Sequence, residues 1–338
     1  MKRLGQVYEA VCEYGNLLDA FAAVRRGHRR SRAVAAFAAD LHVNLARVRE
    51  ELLSGDFRFG DYFLFKVFDP KERLIAAASV RERVIHHAVM NVCGARLERC
   101  LIDHTYACRR GKGQWKAVET ARRYARLHAW CLKLDIRRYF DSIDHAVLSG
   151  LLGRLFKDRR LLGLFRALVA SYETAPGKGL PIGNLTSQHF ANLYLAPADR
   201  LVSACGAVGY VRYMDDMLVF GAREDLKRVL RALAGFLEEA LKLEIKHGGS
   251  LHRTARGVDF LGCRILPGVL RLSARSRRRF FRKSARCDRL FDKGNCSERA
   301  YQQRLTALYA FARHADTLGL RRQALGGNGQ REQPPASR

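Results

Sequence analysis

The chain has 338 residues, of which 48% are hydrophobic, and its 61 Lys and Arg against 33 Asp and Glu give a formal net charge of +28. This hydrophobic content predicts one large domain, or two to three subdomains, around a packed core and excludes a mostly disordered chain. The positive charge predicts an anionic partner, and nucleic acid is the natural one because each neutralised phosphate releases a counterion. A compositional drift towards Arg, Ala and Gly is the alternative explanation.

Nine cysteines are scattered along the chain without a C-x-x-C pair, so the sequence indicates neither a zinc site nor a disulfide framework. The N-terminus lacks an apolar signal core, and no uncharged run is long enough to span a bilayer. We therefore expect a cytosolic protein in a reducing compartment, with no membrane partner.

Helical periodicity dominates the first hundred residues. Apolar residues recur at helical spacing across residues 1–55 and again across 79–100, which predicts helices in both segments. Between them, residues 56–70 (DFRFGDYFLFKVFDP) are aromatic and partly alternating, which predicts a strand or hairpin ended by Pro70.

The middle of the chain predicts strands that carry acidic residues. Residues 130–136 (WCLKLDI) alternate, so Trp130, Leu132, Leu134 and Ile136 should face the core while Lys133 and Asp135 face the other way. Residues 208–220 predict a strand, a turn at Asp215–Asp216 and a second strand. Helices are predicted from about Ser142, over 159–172, from about Ser187 and over 224–243.

The last part of the chain is basic. Short strands are predicted near 243–247, 257–265 and 268–272. A basic segment from Arg271 to Arg289 opens a helical region that should end near Leu320, and the polar tail that follows, 321–338, should be disordered.

Two acidic positions lie far apart in the sequence, Asp135 at a strand end and Asp215–Asp216 at a hairpin tip. If the hairpin lies beside the strand, three carboxylates meet at one sheet edge, where like charges require cations. Oxygen ligands suit Mg²⁺, and two such ions can clamp an in-line phosphoryl transfer. We expect the backbone carbonyl of Ile136 as a further ligand. The alternative is that Asp215–Asp216 only favours a turn and that Asp135 caps a helix.

Several motifs carry a family resemblance. YMDD (213–216) resembles the YxDD motif of reverse transcriptases, and LKLDIRRYFDSIDH (132–145) resembles their motif with the first catalytic Asp, which maps onto Asp135. GLPIGNLTSQHFANLYL (179–195) resembles the motif beneath the incoming nucleotide. Further segments follow the family's order: KERLIAAASVRERVIHHAV (71–89) resembles the fingers motifs, and Leu243–His247 and GVDFLGCRI (257–265) resemble the last palm motifs and primer grip.

The resemblance implies an α+β fold shaped as a right hand, with helical and β fingers, an antiparallel palm sheet and a helical thumb. It places an N-terminal helical extension at 1–55, fingers at 56–129, palm at 130–270 and thumb at 271–320, with fingers and palm helices over 145–205. The implied activity is RNA-directed DNA synthesis with two Mg²⁺ ions, a template RNA, deoxynucleoside triphosphates and an RNA/cDNA duplex as partners.

Within the family, Ser187-Gln188 resembles enzymes of diversity-generating retroelements, whereas group II intron relatives usually carry Q-G there. This resemblance implies copying with errors at template adenines, a bacterial or phage origin and a small basic accessory protein. Two alternatives remain open: a group II intron-like or other bacterial enzyme of ordinary fidelity, and a non-catalytic RNA-binding scaffold, which would need a lost carboxylate or a blocked nucleotide pocket.

The resemblance also assigns roles around the nucleotide. Phe140 is the expected steric gate against a ribose 2′-hydroxyl, and Ile182 stands where many relatives have a Gln that can hydrogen-bond to the nascent base pair. The remaining nucleotide contacts are expected from Lys71, Arg73, Gly183, Gln188 and Lys246. Arg73 and Lys71 would hold the triphosphate, and Lys246 would act on pyrophosphate. On the thumb, phosphates of the template–primer should be bound by Arg277, Arg278, Arg279, Arg282 and Lys283.

Overall fold

The computed structural model describes residues 2–28, 30–68, 72–206 and 208–326. Its first segment is helical, as the periodicity of residues 1–55 predicts. The helices are α1 (Tyr8–Cys12), α2 (Tyr14–Arg26), α3 (Arg32–Ala39) and α4 (Leu41–Ser54), which pack around α5 (Val80–Glu98). Helix α5 begins at Ser79, whose hydroxyl accepts a hydrogen bond from the Glu82 amide at 3.2 Å and so caps the first turn.

The aromatic segment forms a hairpin, as predicted, but the hairpin extends beyond Pro70. Strand β1 (Phe63–Phe68) pairs antiparallel with β2 (Glu72–Ala77), from Phe63 opposite Ala77 to Phe68 opposite Glu72. Every residue of β1 is exposed, whereas β2 becomes buried towards Ala76. The ribbon therefore projects from the body of the protein and is anchored at the end of β2.

A four-stranded antiparallel sheet forms the centre, in the order β4 (Gly209–Tyr213), β5 (Asp216–Gly221), β3 (Trp130–Leu134) and β6 (Ser250–Arg253). Both faces of this sheet are covered. Leu132 and Leu134 enter one hydrophobic cluster, and Cys131, fully buried on the opposite face, enters another. The prediction of a single core-facing side for residues 130–136 was therefore incomplete, because helix α6 (Gln114–Leu127) packs on the second face.

The strand predicted near 243–247 is wrong. Ile245 makes only an isolated bridge to Ile136, and a 3₁₀ turn over Lys246–Gly248 follows. His247, Gly248 and Gly249 all have positive φ (54°, 67° and 77°), and this conformation breaks the extended chain before β6 begins.

Helices fill the space beneath the sheet: α7 (Tyr139–Ser142), α8 (His145–Leu155), α9 (Arg159–Ala170), α10 (Leu185–Tyr194), α11 (Ala196–Ala204) and α12 (Arg223–Leu241). The helix predicted from about Ser142 begins at His145 as α8, because Asp144 caps it by accepting a hydrogen bond from the Val147 amide at 3.0 Å. Asp141 lies inside α7. Helix α10 begins two residues before the predicted Ser187.

The C-terminal part combines a three-stranded antiparallel sheet with three helices. The strands are β7 (Val258–Phe260), β8 (Cys263–Ile265) and β9 (Leu270–Leu272), and the helices are α13 (Ala274–Asp292), α14 (Glu298–Arg313) and α15 (Leu318–Gly326). The single strand expected over 257–265 is a hairpin, since Leu261 and Gly262 turn with φ of 48° and 81°. Residues 321–326 are helical and not a disordered tail, and 327–338 lie outside the described residues.

Two hydrophobic clusters lie on opposite faces of the central sheet, one beneath it with α5, α8 to α10 and α12, the other above it with α6, α13 and β7 to β9. The predicted α+β class is confirmed by these separate helices and antiparallel sheets. Among the described helices, none combines the length and apolar composition needed to cross a bilayer.

Candidate active site

Three carboxylates meet at one edge of the central sheet. Asp135 directly follows β3, and the β3–β5 register ends with Leu134 opposite Met217, so the next residues along the two strands are Asp135 and Asp216. Tyr213 pairs with Asp216, which leaves Met214 and Asp215 as a two-residue turn. The predicted turn at Asp215–Asp216 is therefore shifted by one residue, and Asp216 begins β5.

The electrostatics of Asp215 show that these side chains act on one another. Burial raises the pKa of Asp215, the charge of Asp216 and, less strongly, that of Asp135 raise it further, and the result is a pKa of about 7. A backbone hydrogen bond and the charge of Arg73 act in the opposite direction. Arg73 lies in β2 on the exposed ribbon, so this ribbon is near enough to the carboxylates for its charge to act on Asp215. A site with this much negative charge favours cations.

One such cation belongs to the chain itself. The side-chain ammonium of Lys246 lies 3.3 Å from Asp135 Oδ2, and the backbone amide of Lys246 donates to the Asp135 carbonyl at 2.8 Å. The Arg137 amide donates to Glu244 O at 2.9 Å on the other side of the Ile136–Ile245 bridge. The two backbone hydrogen bonds lie on either side of Ile136 and fix Lys246 beside Asp135. Neither of them uses the Ile136 carbonyl.

The carboxylates do not form a finished metal cage. Within the described ranges, no three His, Cys, Asp or Glu side chains are gathered closely enough to hold a metal ion. Mg²⁺ is commonly held by one or two carboxylates together with waters and substrate phosphates. The oxygen donors of Asp135, Asp215, Asp216 and the Ile136 carbonyl therefore fit, in their chemistry, an ion that shares its ligands with a bound phosphate.

The loop before α10 lies against the ribbon. The Ala76 amide in β2 donates to the Ile182 carbonyl at 2.9 Å, and the Leu180 amide donates to the Phe140 carbonyl at 2.8 Å. Gly183 has a φ of 130°, and a Cβ there would lie 3.0 Å from the Ala76 carbonyl oxygen. The structure thus brings Phe140, Ile182 and Gly183 into one connected surface.

Gln188, one turn into α10, has a partner that the sequence did not indicate. The thiol of Cys108 donates to Gln188 Oε1 at 3.2 Å, and Cys108 has a φ of 52°. Little in the sequence singles out Cys108, apart from the Arg- and Gly-rich stretch after it, which is typical of a loop. Cys108 also contributes to raising the pKa of Tyr213, after the larger effect of burial, so the loop lies beside the carboxylate turn.

The predicted residues of α13 are not part of this surface, and one further predicted residue is not described. Lys71 lies outside the described residues. The basic side chains of α13 lie around the solvent-facing sides of that helix, where Arg279 is half-buried and the others are exposed: Arg277, Arg278, Arg282 and Lys283. Phe280 is buried beneath them at 3% exposure.

A buried ion pair beneath the turn was missed altogether. Arg212 in β4 and Asp199 in α11 are both 0% exposed, and Arg212 Nε and Nη2 donate to the two Asp199 oxygens at 2.6 Å. Burial alone would lower the pKa of the guanidinium, but the charge of Asp199 and the hydrogen bonds to it raise that pKa above its ordinary value. The signal was available, because Arg212 is a charged residue inside an otherwise apolar strand.

Comparison with known proteins places these features in context. The family described as reverse transcriptase (RNA-dependent DNA polymerase) matches residues 69–265. The uncharacterized 91 kDa protein in the cob intron of Schizosaccharomyces pombe is 27% identical over 164 residues, 46% of this chain and 20% of that protein. The group II intron-encoded protein LtrA of Lactococcus lactis subsp. cremoris is 27% identical over 146 residues, 41% of this chain and 24% of LtrA.

The chain thus spans about a fifth to a quarter of the length of these two curated relatives. Among solved structures, telomerase from Candida albicans in complex with a fragment of telomeric RNA aligns with a TM-score of 0.48 and 11% identity. The alignment covers 69% of this chain and 51% of the telomerase chain.

Substituting Gly183 tests the contact between the loop and the ribbon. Gly183→Ala should lower the free energy of unfolding by about 1–3 kcal/mol, because its φ of 130° is unfavourable for Ala and the new Cβ meets the Ala76 carbonyl. It should also speed amide hydrogen exchange at Ala76. Gly177→Ala is the matched control, since Gly177 has a φ of 68° but open space around its Cβ. Equal exchange at Ala76 in both variants would contradict the contact.

Proposed function

The chain belongs to the reverse transcriptase (RNA-dependent DNA polymerase) family, and on that premise we propose that it extends a DNA primer along an RNA template. The observation that supports this most directly is the convergence of Asp135, Asp215 and Asp216 at one sheet edge, where burial and mutual repulsion raise the pKa of Asp215 to about 7. A non-catalytic scaffold would have no need to maintain three repelling carboxylates at one end of a sheet.

Reverse transcriptases use divalent metal ions, and here Asp135, Asp215, Asp216 and the Ile136 carbonyl are the proposed ligands. Two Mg²⁺ ions would supply a lowered pKa for the primer 3′-hydroxyl and charge neutralisation at the triphosphate. The residues of this chain hold the reacting groups in place. Arg73 contributes positive charge over the carboxylates, and Lys246 is held against Asp135 by the Ile136–Ile245 bridge.

We assign the surface formed by Phe140, Ile182 and Gly183, together with Gln188 on α10, to the incoming nucleotide. Lys71 is proposed as a second cation for the triphosphate beside Arg73. Phe140 packs against the core beneath the sheet and edge-on against Tyr139, a fixed position that suits a steric gate against a 2′-hydroxyl. Gly183 is exposed and would present only backbone to a substrate, because β2 fills the space that a Cβ would need.

The division into fingers, palm and thumb follows from these assignments. The β1–β2 ribbon with α5 would form the fingers, the central sheet with α8 to α12 the palm, and α13 with α14 the thumb, while α1 to α4 form the N-terminal extension. The thumb would bind the RNA/cDNA duplex through five basic side chains on α13: Arg277, Arg278, Arg279, Arg282 and Lys283.

We further propose the diversity-generating retroelement type, on the basis of Ser187, Gln188 and Ile182. Ile182 is half-buried and its carbonyl is already bonded to Ala76, so the side chain offers the nascent base pair only apolar contact. Ile182 therefore cannot discriminate between correct and incorrect base pairs by hydrogen bonding. The type also implies a small basic accessory protein. The group II intron relatives support the wider family, and an enzyme of ordinary fidelity is the alternative.

Removal of one carboxylate tests the activity itself. Asp135→Asn or Asp215→Asn should slow primer extension on an RNA template by roughly a thousandfold, because bound metal stabilises the transition state by several kcal/mol. Both changes keep the side-chain shape and remove repulsion, so folding should be retained. Asp225→Asn, in an exposed pair with Arg228 on α12, should extend normally. No extension by the intact chain with its cognate RNA and accessory protein would favour the scaffold.

Fidelity at adenine tests the finer assignment. Ile182→Gln should lower the error frequency opposite template adenines, because an amide can hydrogen-bond where the aliphatic side chain cannot. The measurement is sequencing of cDNA made on an RNA of mixed composition, with Ile182→Val as the control that keeps an apolar side chain. An unaltered error spectrum in Ile182→Gln, or faithful adenine copying by the intact chain, would count against the retroelement type.

The basic face of α13 predicts a salt effect. Replacing Arg278 and Arg282 together by Gln should weaken template–primer binding and reduce the slope of log K against log salt by about 0.7–0.9 for each phosphate that is no longer neutralised. Arg231→Gln, an exposed cation on α12, removes charge elsewhere and should leave the slope nearly unchanged. Equal slopes for the α13 variant and the Arg231 variant would exclude α13 from the duplex interface.

A further inference from the structure

The buried guanidinium of Arg212 lies at the point where the carboxylate turn meets α10. Arginine has five N–H donors, and all five of Arg212 are bonded. Besides the pair with Asp199, Nη1 donates to Asn192 Oδ1 and to the Met214 carbonyl, each at 3.1 Å, and Nη2 donates to the Asn192 carbonyl at 3.1 Å. Its position therefore admits almost no alternative orientation.

Stability alone does not explain such an arrangement. A buried ion pair is often no more stabilising than well-packed apolar residues of the same volume. Arg212, however, uses only part of its donors on Asp199, and the bond to Met214 reaches directly into the turn that carries Asp215. Met214 has a φ of 55°, a left-handed conformation that is unfavourable for a residue with a long side chain. The bond to its carbonyl holds the turn in that conformation.

The same guanidinium also fixes the nucleotide side of the site. Asn192 lies one turn after Gln188 on α10, and its Nδ2 donates to the Ala107 carbonyl at 2.6 Å. Ala107 precedes Cys108, whose thiol bonds to Gln188. The Arg212 amide and carbonyl bond to His104 and Tyr106, each at 2.9 Å. The turn, α10 and the loop at 104–108 are therefore all joined through one residue.

We infer that Arg212 is a positioning residue, which sets the distance between the Asp215 turn and the nucleotide-facing surface of α10 through its bonds to Met214 and Asn192. Asp199 serves as the counter-ion that allows the guanidinium to be buried. The inference rests on the proposed polymerase function for its kinetic consequence, but its structural consequence, a rigid turn, can be measured independently.

The test uses Arg212→Lys, which keeps one charge for Asp199 but cannot supply the fork that reaches Met214 and Asn192 together. Primer extension on poly(rA)/oligo(dT) with dTTP and Mg²⁺ should show kcat lower by about 10–100-fold, as found for residues that orient catalytic ligands. KM for dTTP and template–primer affinity should stay near those of the intact chain. In the absence of metal and substrate, hydrogen exchange in a peptide spanning 210–217 should become faster.

Tyr210→Phe is the matched control. Its hydroxyl donates to the same Asp199 oxygen at 2.8 Å and is equally buried, but it has no bond to the turn. It should lower stability without the loss of kcat or the faster exchange. A kcat for Arg212→Lys equal to that of Tyr210→Phe, with unchanged exchange at the turn, would overturn the inference.

Asn192→Ala covers the case in which Arg212→Lys does not fold. It leaves the ion pair intact and removes the Asn192 side-chain bonds to Arg212 and Ala107, so kcat should fall about tenfold, again without a change in KM. An unaltered kcat would refute the inference. If the intact chain extends no primer, the proposed function fails, and exchange in the 210–217 peptide of the Arg212 and Tyr210 variants still decides whether Arg212 holds the turn.

Discussion

Repulsion between carboxylates at one edge of the central sheet is the constraint on which the site depends. The antiparallel register of β3 and β5 forces Asp135 and Asp216 into neighbouring positions, and the two-residue turn adds Asp215. None of these positions can be relaxed without a register shift, which would move the whole strand's side chains to the other face. Because both faces of the sheet are buried, that shift is unavailable, and the repulsion must be compensated by cations.

The cations around the site have two different roles. Arg73 and Lys246 balance charge from outside, on an exposed ribbon and on a half-buried turn, where a side chain has room to move. Arg212 acts from inside and is fully paired, so it cannot yield. The outer cations are suited to exchange with metal ions or phosphates, whereas the inner one is suited to hold geometry. Charge balance and positioning are thus assigned to different residues.

The sequence predicted features that depend on local pattern. The helices at 1–55 and α5, the hairpin at β1, strand β3 and the β4–β5 turn all follow from periodicity and turn residues. Prediction from the sequence failed where contacts between distant parts of the chain decide the structure. The alternation of 130–136 could not show that α6 covers Cys131, and the apolar residues near Ile245 could not show that this segment makes only a single bridge, to Ile136. Arg212 appeared as one more Arg in a basic chain, because its partner Asp199 lies on another element.

The overall charge and the site charge have opposite signs, and this opposition bears on how a substrate would be held. A basic surface attracts phosphate chains without regard to sequence, whereas the negative charge of the carboxylates would repel a phosphate group placed beside them. If the proposed function holds, a nucleotide and its metal ions are therefore favourable only together, because each relieves the repulsion that excludes the other. An ion that completes its coordination with substrate phosphates depends on the substrate in this way. A cage made only of protein ligands would bind the metal without substrate, and the two would then no longer depend on each other.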